Sequence, residues 1–161
     1  MKKPVLVVAF VAVAVASVWS WRRTGATETD PRRLVADRVW IDHVPRSDKD
    51  TIQVFVAISE HAIGAFQATS AWRGGFEAFR YELEAGELRL LYPQTGAREA
   101  VRVKARRCDE QGMEYCLELA GASHGVKRYY SRKGWEIEGA PDLEAVQHRV
   151  ETVRGQLAAA R

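Results

Sequence analysis

The sequence predicts a mainly β protein. It reads as an antiparallel up-and-down meander closing into a small barrel, with an apolar helix before it and an amphipathic helix after it. Three observations carry this. From Leu34 to about Glu138, apolar residues recur with a period of two in short runs broken by turn residues. No stretch of helical period interrupts them. The two chain ends differ: the first is continuously apolar, and the last spaces its apolar residues 3-4-3-4.

Residues 1–21 read as a signal peptide or a signal anchor. Lys2 and Lys3 precede an uncharged, mostly apolar run from Pro4 to Trp21. Ala14-Val15-Ala16 offers a small-x-small cleavage site behind the apolar stretch Val5–Val13. Against cleavage, the run continues through Trp19 and Trp21 to Arg22 and Arg23, as in an aromatic belt at a membrane interface. Its length just suffices to span a bilayer. Either way the rest of the chain is expected in the cell envelope, exported across the cytoplasmic membrane. Residues 4–21 would be its membrane contact if they stay attached. Residues 22–33, polar and containing Gly25 and Pro31, read as a linker.

The chain has 161 residues, of which 47% are hydrophobic and 28% charged, a globular profile with room for one domain. Its net charge is +3, and Lys2, Lys3, Arg22 and Arg23 supply 4 positive charges, so +3 minus 4 leaves −1 for residues 24–161. Net charge therefore gives no support for nucleic-acid binding.

The barrel is expected over residues 34–138. "TIQVFVAIS" puts Ile52, Val54, Val56 and Ile58 on one face, and Glu60-His61 can turn the chain into "AIGAFQATS". "FEAFRYEL" aligns Phe79, Tyr81 and Leu83 before the turn "EAGE". "LRLLY" follows, stopped by Pro93 and Gly96. "AVRVKARRC" aligns Val101, Val103 and Ala105, "EYCLEL" aligns Tyr115, Leu117 and Leu119, and "GVKRYYSR" and "GWEIE" complete the set. A sheet this long tends to close on itself, because open edges invite aggregation.

Residues 139–161 change period. Pro141 takes a first helical position, with Asp142 and Glu144 in the first turn. Leu143, Val146, Val150, Val153 and Leu157 form one apolar stripe. It can pack on the barrel or form a homodimer seam, although about two heptads are short for a coiled coil alone.

Cys108 and Cys116 are the 2 cysteines. With Val101, Val103 and Ala105 inward, Cys108 points outward. With Tyr115, Leu117 and Leu119 inward, so does Cys116. A turn centred on Gly112 would set them opposite each other on the solvent face and pair Arg106 with Glu118. Export supplies an oxidising compartment, so a structural disulfide is expected. A metal site would need more ligands than lie nearby, and the spacing is not that of a redox pair. The basic run "VRVKARR" lacks interleaved exposed aromatics and reads as a solvated strand face.

His43, His61, His124 and His148 show no metal-ligand spacing, and neither a phosphate loop nor a nucleophile elbow is present. Asp42-His43 could imitate part of a triad, but the pattern places no nucleophile beside it. Asp48 and Asp50 read as a solvated turn rather than a calcium loop. No catalytic residue, metal or cofactor is expected. In "GVKRYYSR", Val126, Arg128 and Tyr130 share one face, and Lys127, Tyr129 and Ser131 the other. If Arg128 and Tyr130 face inward, they form a grip for one carboxylate.

The chain resembles a small bacterial lipocalin-like (calycin) domain over residues 34–138. The resemblance rests on Trp40 in "ADRVWID", the meander, and a late basic residue, Arg128 or Arg132. In that superfamily the early Trp commonly lies in a Gly-x-Trp motif and stacks under a late Arg at the closed end of the barrel. Arg38 occupies the Gly position here. The resemblance implies a structural role for Trp40. The Arg128-x-Tyr130 spacing is similar to the carboxylate grip of fatty-acid-binding proteins in the same superfamily.

The leading expectation is an envelope domain binding a small hydrophobic ligand, with or without a carboxylate. The alternative is a structural or protein-interaction module with a filled core. An open interior with inward polar groups favours the first. A packed interior with an exposed apolar patch favours the second.

Overall fold

The computed structural model describes residues 34–70, 74–139 and 142–160. The expected signal segment and linker lie outside the described residues. The strands are β1 (Arg38–Ile41), β2 (Ile52–Ile58), β3 (Ile63–Thr69), β4 (Gly74–Glu84), β5 (Glu87–Leu91), β6 (Arg98–Glu110), β7 (Met113–Ala120) and β8 (Arg128–Ser131). Each pairs antiparallel with the next, and β8 returns to β1 to close an eight-stranded barrel. At the closure Ile41 faces Tyr130, and the Ser131 hydroxyl donates to the Val39 carbonyl at 2.8 Å.

Turn chemistry sets the hairpins. Ala85-Gly86 (φ 47° and 81°) and Gln111-Gly112 (φ 57° and 72°) put both central residues in the left-handed region, as two-residue turns matched to strand twist require. "GWEIE" does not form a strand. It makes one bridge, Arg38 to Glu136, and its Trp135 carbonyl accepts from Val39 N at 3.0 Å.

Two apolar clusters share the sheet. The first fills the barrel and contains Trp40, Phe55, Phe66, Phe79, Leu88, Leu117 and Tyr129, among others. The second lies on the outer surface and joins Val39, Ile41, Val54, Val56, Cys116, Tyr130 and Trp135 to Val150, Val153 and Leu157 of the C-terminal helix. Strands β1 and β2 are therefore buried on both faces. The alternating set Ile52, Val54, Val56 and Ile58 is the outer face, covered by the helix, whereas Phe55 and Ala57 fill the interior.

Helix α1 (Leu143–Ala159) starts one residue later than Asp142 would suggest as a first-turn residue. Asp142 is the N-cap, its carboxylate accepting from Ala145 N at 2.8 Å. Buried Val150, Val153 and Leu157 lay the apolar stripe on the barrel wall.

Cys108 and Cys116 form a disulfide with Cα atoms 5.8 Å apart. The hairpin around it differs from the expected register. Arg106 faces Cys116, Lys104 faces Glu118, and pairing shifts between Arg107 and Glu110. Cys108 and Asp109 oppose the single residue Glu114, so a β-bulge brings Cys108 to Cys116. The two-residue turn is centred between Gln111 and Gly112, and the extra residue on β6 moves the pairing one further step from a register centred on Gly112. Both cysteines belong to the outer face, but Cys116 is fully buried beside Tyr130 rather than solvated.

Candidate interaction site

The barrel interior is filled by its own side chains. Phe55 lies 5.3 Å from Phe66, 5.9 Å from Phe79 and 5.9 Å from Tyr129, measured between ring centroids. A side chain at Gly64 would fall on the Phe79 ring and the Val56 carbonyl, so that glycine is required for the close approach. Such aromatic pairs contribute about 0.5–1.5 kcal/mol each beyond their buried area.

Both ends carry covers. At one, Leu34, Val35 and Ala36 join the core, and the Trp40 indole donates to the Val35 carbonyl at 2.9 Å. At the other, the loop 121–127 folds inward. Gly125 packs where a side chain would strike Phe66 and the Tyr129 hydroxyl, and Val126 N donates to that hydroxyl at 2.9 Å. The Tyr92 hydroxyl donates to Glu99, whose other oxygen accepts from Ser123 N at 3.0 Å. The His124 ring stands 4.8 Å from Tyr92. Burial, and then the Glu99 carboxylate, push the Tyr92 phenol above its ordinary range. Burial pushes Tyr81 and Tyr129 up to about 12.

Trp40 is fully buried on the inner face of β1. The guanidinium nearest it is not a late arginine. Arg38 lies 5.6 Å from the Trp40 ring and 4.1 Å from the Tyr115 ring, and it pairs with Glu136 at 2.9 Å. Arg132 lies over Trp135 instead, at 5.1 Å. Arg38, two residues before Trp40, thus takes the place over its ring.

Arg128 and Tyr130 face outward. Tyr130 lies opposite Ile41 and Cys116 in the outer cluster, whereas Tyr129 joins the interior cluster and Ser131 lies opposite interior Tyr115. Arg128 is exposed and reaches Glu110 at 3.4 Å and Glu118 at 3.3 Å; the Tyr130 hydroxyl donates to Glu110 at 3.5 Å. The carboxylate these two residues share is the protein's own, and a grip inside the barrel would need them turned the other way. Glu110 lies close to both cysteine sulfurs, but the disulfide uses them up as metal ligands.

His43 bridges Asp42 at 2.9 Å and Asp50 at 3.2 Å within the β1–β2 loop. Asp50 also accepts from Arg46 N, which holds its carboxyl below the usual range. This cluster pins the loop.

The wall formed by β3 to β6 is different from the helix-covered side. Its outward side chains form a row across four strands: Ile63 faces Arg80, Arg80 faces Leu91, and Leu91 faces Arg98. They line an open groove of about 1050 Å3, bounded at one side by His61 and Ala62 of the β2–β3 turn. Ile63 is 40% exposed, and Phe76, further along β4, is 61% exposed. Ala65 and Ala78 face each other between them, so the surface is low and partly apolar. Arg89, in the next row, pairs with Glu87 at 3.0 Å. Among the described residues Arg80 and Arg98 have no ion-pair partner.

No linear motif announces this face. Its residues come from four strands and meet only through the register, so the alternation shows that they point outward but not that they adjoin.

The fold defines the class: a closed eight-stranded antiparallel barrel with a C-terminal helix on part of its outer surface. No protein-family model, curated protein or solved structure matches the chain.

Proposed function

We propose that this domain is a protein-interaction module whose barrel interior is structural and whose β3–β6 wall is the contact surface. The observation that carries the reading is the contrast between the two sides of the sheet. The inside is filled by interlocked aromatic and aliphatic side chains, while Ile63 and Phe76 stand exposed on the outside. Exposed large apolar residues grouped on one face mark contact sites in soluble domains. The architecture supports a lipocalin-like ancestry, through the meander order and the buried Trp40 under a guanidinium. In this reading residues 4–21 direct the chain to the cell envelope, where the disulfide forms and persists.

In-cell photo-crosslinking tests this. A photoreactive residue at position 63 or 76 is expected to capture the same identified partner, whereas one at exposed Gln147 on α1 is not. Equal capture from all three positions, or from none, contradicts the reading.

A further inference from the structure

The groove on the β3–β6 wall has a chemical pattern that narrows the partner; the inference rests on the interaction reading above. Across the strands its row runs apolar, cationic, apolar, cationic: Ile63, Arg80, Leu91, Arg98. Adjacent strands are about 4.8 Å apart, which puts Arg80 and Arg98 about 10 Å from each other at the backbone. Neither guanidinium has a carboxylate partner among the described residues, although Glu84 and Glu87 serve Arg89 close by. Unpaired arginines flanking an apolar side chain favour an anion-bearing surface of matching period.

A helix has that period. Residues on one face recur at steps of three and four, about 5 Å per turn, and positions seven apart lie about 10.5 Å apart. We propose that this wall binds an amphipathic helix of a partner protein, lying across the strands. It would carry apolar, acidic, apolar and acidic residues at successive 4-3-4 spacing. Its two carboxylates meet Arg80 and Arg98, and its apolar residues rest on Ile63 and Leu91.

The probe is a synthetic helical peptide with leucine and glutamate in that order, titrated into the full-length protein by calorimetry. Its counterparts carry glutamine or lysine in place of glutamate. The glutamate peptide is expected to bind at least about tenfold more tightly than the glutamine peptide, and to weaken as salt rises from about 50 to about 500 mM. The double variant Arg80→Glu/Arg98→Glu, both changes on exposed positions, should lose the glutamate peptide and gain the lysine peptide. Equal binding of glutamate and glutamine peptides that still depends on Ile63 and Phe76 overturns the acidic-helix inference while leaving the interaction reading in place. No binding by any peptide overturns the inference. So does binding of anionic vesicles, but not peptide, through the same arginines, or a self-association that the double variant abolishes.

Discussion

The Arg128 guanidinium lies 3.4 Å from the Glu110 carboxylate, across the outer surface of the barrel. Glu118, at 3.3 Å, and the Tyr130 hydroxyl complete a network that the protein supplies entirely from its own side chains. Arg128 is exposed, so solvent screens these pairs strongly. Arg128→Ala is therefore expected to leave the midpoint of chemical denaturation nearly unchanged. A large fall in the midpoint, as for a broken buried pair, would show that the network is desolvated in a way its exposure does not suggest.

The disulfide closes a short loop, with a sequence separation of 8. Opening it should release a hairpin already held by its turn and ladder. The double variant Cys108→Ala/Cys116→Ala is expected to fold and to lose about 2–3 kcal/mol. Mass spectrometry without reduction should find the natural protein as an oxidised monomer. Two free thiols in protein purified without reductant, or a disulfide-linked dimer, would refute the bridge.

The buried tyrosines set an alkaline limit. Tyr81 and Tyr129 hold their protons up to about 12, mainly because burial disfavours the phenolate. In the unfolded chain they ionise near the ordinary value of about 10. Between those values the unfolded state binds fewer protons, so stability falls as pH rises. The free energy of unfolding should lack this dependence below about pH 9 and decline from about pH 10 to about pH 12. Tyr81→Phe should flatten part of that decline. Ultraviolet titration showing both phenols ionising near 10 in the folded protein would contradict the assignment.

Alternation alone made most strands legible, because each inward set is compact and apolar. Phe79, Tyr81 and Leu83 or Tyr115, Leu117 and Leu119 can serve only one core. Strand β2 shows the limit of that signal. Ile52, Val54, Val56 and Ile58 are as apolar as any inner face, yet they lie outside, under α1. Periodicity reports two faces but not which one meets the barrel axis when both are buried. The same ambiguity turned Arg128 and Tyr130 outward, since β8 is short and both its neighbouring faces carry tyrosine. The hairpin register failed for a local reason: the turn sits at Gln111-Gly112 and a bulge follows it on β6, and no spacing between cysteines reveals either. The arginine row on the β3–β6 wall depends on three successive registers and had no sequence signal of its own.

The account turns on a barrel whose interior is its core rather than a binding cavity. The most direct measurement is a titration of the full-length, methyl-labelled protein with long-chain fatty acids and their neutral esters, followed by calorimetry and by the methyl resonances of Leu88, Leu117 and Leu119. These leucines are fully buried or nearly so inside the barrel. The account predicts no saturable heat and unmoved core methyls. One-to-one saturable binding that shifts those methyls would contradict it and make the barrel a ligand carrier.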